Sequence, residues 1–135
     1  MKKIFSIFIC VIISQVIFSQ THSDSSKVSE ESKKNAKKKI ESIRNDIING
    51  KIDFASAAIK YSQDPGSAAN GGLLQKIEKG TFVPEFDAVA FSIKENTVSD
   101  IFETEYGYHI LIVLDRRRDE IDVSHILIIP QPDKK

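Results

Sequence analysis

Apolar and polar positions divide the chain into an apolar stretch, a polar stretch and a long patterned one. Ile4 to Phe18 is almost unbroken Ile, Phe and Val behind Lys2 and Lys3. Residues 20–35 are rich in Ser, Lys and Glu and nearly free of apolar side chains. Regular patterning starts at Ala36. Ala36, Ile40, Ile43 and Ile47 recur at helical spacing, one apolar stripe on an otherwise charged helix. Asn49-Gly50 supplies the stop, because both residues tolerate a left-handed cap. Asp53 suits the N-cap of a second helix with Phe54, Ala57, Ala58 and Tyr61 inward. Asp64-Pro65-Gly66 opens a small polar loop that ends at Gly71-Gly72. Leu73 to Ile77 reads as a short strand. Pro84 suits the first turn of a third helix, with Phe86, Val89, Ala90 and Phe91 as its apolar residues. Phe86 and Phe91 do not share a face well at that spacing, so Phe91 is expected in the core and Phe86 at a pocket. Val98 to Thr104 alternates like a half-exposed strand. Tyr108–Leu114 and Val123–Ile129 are β-rich runs separated by a polar turn, and Pro130 and Pro132 stop the second. Helix, helix, strand, helix and three strands predict an α+β domain with an antiparallel sheet.

The first stretch changes the accounting. A basic start, an apolar run shorter than the ~20 residues that span a bilayer, and the small Ser19 give residues 1–19 the build of a secretory signal peptide. An uncleaved anchor is the alternative, and the only route to a membrane that the sequence suggests. Residues 20–35 read as a flexible leader, and 130–135 as a short tail. Of 19 basic and 19 acidic residues, Lys2 and Lys3 leave with the signal, so 17 face 19 and the net charge becomes −2. Nothing there selects nucleic acid, which calls for a basic patch. Cys10, the only cysteine, leaves as well, which suits an oxidising, extracytoplasmic compartment such as the periplasm.

One local feature carries chemistry. His-Ile-Leu-Ile occurs twice, as His109–Ile112 and His125–Ile128. Two adjacent strands would put both imidazoles on one face. A lone strand histidine is more often a satisfied half-buried residue, and two in matched contexts shift that balance. Neither has Cys or Asp at ligand spacing, so no metal site is expected.

Three ordered blocks then resemble parvulin-type peptidyl-prolyl cis-trans isomerases of the PpiC, or rotamase, family. They are Tyr61-Ser62-Gln63-Asp64-Pro65-Gly66-Ser67-Ala68-Ala69-Asn70-Gly71-Gly72, then Lys79-Gly80-Thr81-Phe82-Val83-Pro84-Glu85-Phe86-Asp87-Ala88-Val89-Ala90-Phe91-Ser92, and Thr104-Glu105-Tyr106-Gly107-Tyr108-His109-Ile110. With the signal, they are similar to exported bacterial foldases. The resemblance implies a parvulin-like domain over residues 36–129, a four-stranded antiparallel sheet flanked by helices. It implies a shallow proline pocket beside two histidines. By position, Asp64 matches the central acid or thiol, His109 the histidine of the last strand, and Thr104 a hydroxyl in the histidine network. His125 is the second histidine. Phe82 and Phe86 match the apolar floor, and Leu73 the rim. Asp64 also reads as a turn residue before Pro65.

The implied reaction is rotation about X–Pro bonds in unfolded or proline-containing clients, by non-covalent stabilisation of the twisted amide and with no cofactor. A non-catalytic chaperone module, or an inactive fragment of a tandem foldase, is the alternative. The chain departs from the family at Leu73-Leu74-Gln75, where an acid usually follows the glycines. It also lacks the family's first strand, of the type Ser-His-Ile-Leu-Ile, ahead of the first helix. That sequence stands at the far end, as Val123-Ser124-His125-Ile126-Leu127-Ile128. Val123–Ile129 is therefore expected to take the first strand's place, within a monomer or by exchange in a dimer, since an unpaired apolar edge invites aggregation.

Overall fold

A computed structural model describes residues 28–133. The expected signal peptide and residues 20–27 of the expected leader lie outside the described residues. The elements are α1 (Glu30–Ile48), α2 (Phe54–Tyr61), a 3-10 turn (Ala68–Asn70), β1 (Leu73–Ile77), α3 (Pro84–Ser92), β2 (Phe102–Thr104), β3 (Gly107–Arg116) and β4 (Ile121–Ile128). All strand neighbours are antiparallel, in the order β1-β4-β3-β2.

Helix α1 starts earlier than its apolar stripe, which corrects the flexible leader at its C-terminal end. The Ser29 side chain caps the helix by accepting the Ser32 N–H at 3.1 Å, and Glu30 and Glu31 occupy the first turn, where negative charge is favoured. The tail helps: Ser29 Oγ donates to Asp133 Oδ1 at 2.7 Å, and Ser32 Oγ to the Gln131 carbonyl. Charged residues without an apolar partner thus become helical because cap, dipole and tail satisfy the first turn. Asp53 caps α2 as its position predicts, accepting from Ser56 N at 2.9 Å.

Both faces of the sheet are covered. Ala36, Ile40, Ile43, Phe54, Ala57 and Ala58 of the first two helices pack on Tyr108, Ile110, Ile126 and Ile128. Phe86 and Ala90 of α3 pack on Ile77, Leu111, Val113, Ile121 and Val123. Period-2 alternation allots the side chains: Tyr108 faces the first two helices and His109 faces α3. Double coverage explains why β3 and β4 read as continuous apolar runs instead of alternating ones. Phe86 is 3% exposed and belongs to this core as well as to the site. Phe91, expected in the core, is only half-buried at its edge, with Lys79 Nζ 5.7 Å from its ring centroid.

The expected strand Val98–Thr104 shrinks to Phe102–Thr104, with a single bridge from Val98 to Ile112 upstream. Ser99 is the reason. Its hydroxyl accepts the Leu111 N–H at 2.9 Å and donates to the Asp100 carbonyl. The Ser99 N–H still donates to the Leu111 carbonyl at 2.8 Å, so the side chain takes over only the return bond of that rung.

Strand β4 lies between β1 and β3 at the centre of the sheet. Arg117 secures its hairpin, meeting Asp115 and Asp122 each at 2.6 Å. On the β1 side, Gly72 O accepts the His125 N–H at 3.0 Å. Gly72 has φ +77°, and a Cβ there would sit 2.2 Å from the His125 carbonyl oxygen. Gly72→Ala should therefore cost about 2 kcal/mol from backbone strain and the collision, read as a lower urea midpoint. An unchanged midpoint would mean that β4 is not seated against Gly72.

Candidate functional site

His109 and Leu127 are cross-strand partners, as are Leu111 and His125. The two histidines are thus diagonal neighbours on the face that α3 covers. Their rings lie 5.9 Å apart between centroids, with 17° between planes. His109 is 4% and His125 5% exposed. Phe86 stands edge-on to both, at 6.2 and 5.5 Å, and Phe102 lies parallel to His109 at 5.2 Å.

Each imidazole is held at Nε2. His125 Nε2 lies 2.7 Å from Asp64 Oδ2 and 3.0 Å from Ser67 Oγ. Ser67 Oγ donates to the same Asp64 oxygen. An ionised carboxylate can only accept, so His125 carries its hydrogen on Nε2. On β3, His109 Nε2 lies 2.6 Å from Thr104 Oγ1, which also accepts the Tyr106 N–H at 3.2 Å. The Nδ1 atoms of both histidines are buried without a partner among the described residues. Native cores rarely leave such groups unpaired, and exceptions cluster at working sites.

The electrostatics follow from this geometry. Burial, reinforced by His125, pushes the His109 imidazole down to about 4, against a smaller upward pull from Asp64. Burial also lowers His125, although hydrogen bonding and attraction from Asp64 oppose it. For Asp64, burial pulls the carboxyl up, but hydrogen bonds from Ser67 and His125 and attraction to His125 hold it below its usual range. The site is a neutral imidazole pair beside a carboxylate at neutral pH.

A cleft of about 440 Å³ opens over these groups. Phe82, Val83 and Phe86 form one wall and Leu127 another, with Asp64, His109 and His125 at the polar end. Phe82 and Phe86 meet at 4.9 Å between centroids. Arg116 steadies α3 by donating to the carbonyls of Ala90, Phe91 and Ile93 at its C-terminal end.

Of the residues expected here, Asp64, His109, His125, Phe82 and Phe86 line the cleft, and Thr104 lies buried behind His109. Leu73 does not. It pairs with Ser124 and shares its face, away from His125. Leu74, paired with Val123, is the β1 residue that packs toward α3. A one-residue step in a strand reverses the face. Leu127 escaped the sequence reading although it lies two positions from His125, which puts it on the same face. Ser67, Gln63 and Tyr106 sit in loops or turns, where no periodicity points to them.

The chain is similar to known proteins. The family model described as Rotamase, the PPIC-type PPIASE domain, matches residues 17–115. Chaperone SurA of Photobacterium profundum is 45% identical over 90 residues, 66% of this chain and 21% of that protein. A putative peptidyl-prolyl cis-trans isomerase SurA of Haemophilus influenzae is 44% identical over 86 residues, 64% and 28% of the two chains. Foldase protein PrsA of Geobacillus kaustophilus is 48% identical over 66 residues, 49% and 24%. The chain thus spans between 21% and 28% of the length of these relatives. The family match takes in α1 through nearly all of β3, including Asp64, Phe82, Phe86, Thr104 and His109, and the chain belongs to the PpiC-type peptidyl-prolyl isomerase (rotamase) family.

Proposed function

We propose that the protein catalyses cis–trans isomerisation of X–Pro bonds and so assists the folding of exported polypeptides. The observation that carries this reading is an aromatic cleft ending at the Asp64–Ser67–His125 and Thr104–His109 hydrogen bonds. Rotation about an amide meets a barrier of ~18–20 kcal/mol because resonance must be broken. No bond is cleaved, so the task is to bind the twisted amide better than either planar isomer. Phe82, Phe86 and Leu127 clamp the proline ring. Their dry surface disfavours the dipolar planar amide relative to the twisted one. Asp64, His125, His109 and Thr104 set the field around the carbonyl as it turns. The depressed basicity of both imidazoles argues for neutral dipoles and against a proton donor at neutral pH.

In this reading β4 stands in for the family's first strand and brings His125 with it, a permuted order within residues 29–133. Residues 1–19 act as the export signal. Among the described residues no helix is long and apolar enough to cross a membrane. Clients are unfolded, proline-containing chains. Tyr106 and Ile129, 58% and 37% exposed beside the cleft, favour a chaperone role as the second reading.

A proline-containing tetrapeptide assay tests the proposal. The wild-type chain should accelerate isomerisation, and Asp64→Ala should lower kcat/KM by ten- to a hundredfold, the scale for losing one charge-assisted element of an electrostatic site. Absence of any acceleration, together with suppressed aggregation of an unfolded client, would replace the enzyme with the chaperone.

A further inference from the structure

Ser67 has a burial that its surroundings do not explain. It lies in a small polar loop beside exposed Gly66, Ala69 and Asn70, yet only 1% of its surface is accessible. A serine buried that deeply needs partners for its hydroxyl, and both it finds belong to the site. We propose that Ser67 is a positioning residue, whose hydroxyl fixes the Asp64 carboxylate against His125 and so sets the charge that meets the rotating amide. The proposal rests on the isomerase reading above.

The geometry leaves the hydroxyl one arrangement. Its single proton goes to Asp64 Oδ2, which can only accept, and its lone pair faces His125 Nε2 at 3.0 Å. The carboxylate is then gripped at both oxygens: Oδ1 takes the Gly66 N–H at 3.3 Å, and Oδ2 takes Ser67 and His125. The backbone holds Ser67 in turn. Its N–H donates to the Asp64 carbonyl at 3.3 Å, and its carbonyl accepts from Asn70 and Gly72 at 3.0 and 2.8 Å. Gly72 O accepts the His125 N–H. Ser67 is thus tied to β4 twice, through its side chain and through Gly72. The titratable groups facing Asp64 are His125 on β4 and, more distantly, His109 on β3. Among the described residues no lysine or arginine lines the cleft. When the imidazoles are neutral, the Ser67 hydroxyl and the His125 Nε2–H together hold the carboxylate, with no cation in the cleft to replace either.

Ser67→Ala and Ser67→Cys in the full chain test this. The Asp64 carboxyl carbon is followed by NMR against pH, and kcat and KM are measured separately across the same range. With Ser67→Ala the Asp64 midpoint should move upward, and the acid limb of kcat with it. At neutral pH kcat should fall roughly tenfold, the scale of a hydrogen bond to a charged group. KM should stay within about twofold, because the aromatic floor is untouched. Ser67→Cys, a weaker donor of similar shape, should fall between the two. An Asp64 titration identical to wild type, or a parallel loss of kcat and KM that tracks melting temperature alone, would overturn the proposal. If wild type gives no acceleration, the isomerase reading fails, while the carboxyl titration still decides what Ser67 does to Asp64.

Discussion

A chain truncated before Asp119 is expected not to fold. The deletion removes β4, one of the two interior strands of the sheet. It takes away Ile121, Val123, Ile126, Leu127 and Ile128, all buried. At ~1.5–3 kcal/mol for each fully buried side chain, the loss is of order 10 kcal/mol, the whole stability of a small domain. It also strips every strand partner from β1 and exposes one edge of β3. Circular dichroism during a urea titration reads the result: no cooperative transition, and helix content well below the full chain's. Adding a synthetic peptide of residues 119–133 should restore part of the signal. A truncated chain that still melts cooperatively would show that β4 is an accessory and not the middle of the sheet.

Stability is expected to fall steeply between about pH 6.5 and pH 4. His109 titrates near 6.5 when unfolded and is pushed down to about 4 in the fold, first by burial. Between those values the unfolded chain binds a proton that the folded chain refuses, so unfolding becomes easier as pH drops. Stability is complete above the unfolded value and lost progressively down to the folded one. The gap corresponds to about 3 kcal/mol for His109 alone. His125 is shifted in the same direction and steepens the slope. Asp64 works in the same sense but below its ordinary value of 3.8, beyond this window. Urea midpoints at pH 7.5, 6, 5 and 4.5 give the curve, and His109→Asn should flatten it. A midpoint constant across that range would mean that the imidazoles are hydrated in the folded chain.

How legible each part was depended on where its stabilisation comes from. The histidine pair could be read because β-rich runs and a repeated tetrapeptide are both local signals, and the sheet then set them diagonally. The misplaced residue was Leu73. In Leu73-Leu74 both positions are apolar, so composition alone does not tell which faces α3, and the Val123 register decides it. The start of α1 was hidden for the opposite reason, since contacts with Gln131 and Asp133 help hold its first turn and lie about a hundred positions away. The shortened β2 followed from one hydroxyl, that of Ser99, competing with the backbone. Ser67 carried no periodic signal, and its importance lies wholly in what surrounds it.

The central position of β4 has a consequence for the order of synthesis. Strand β1 pairs with β4 alone, yet more than forty residues separate them, with α3, β2 and β3 made in between. Until Ile128 has left the ribosome, β1 has no strand to bind, and both helical layers cover an incomplete sheet. Pairing so remote in sequence is slow, because loop closure must precede its reward. The chain therefore stays open while most of it is made, and a single late event, the insertion of β4, both closes the sheet and delivers His125 to Asp64.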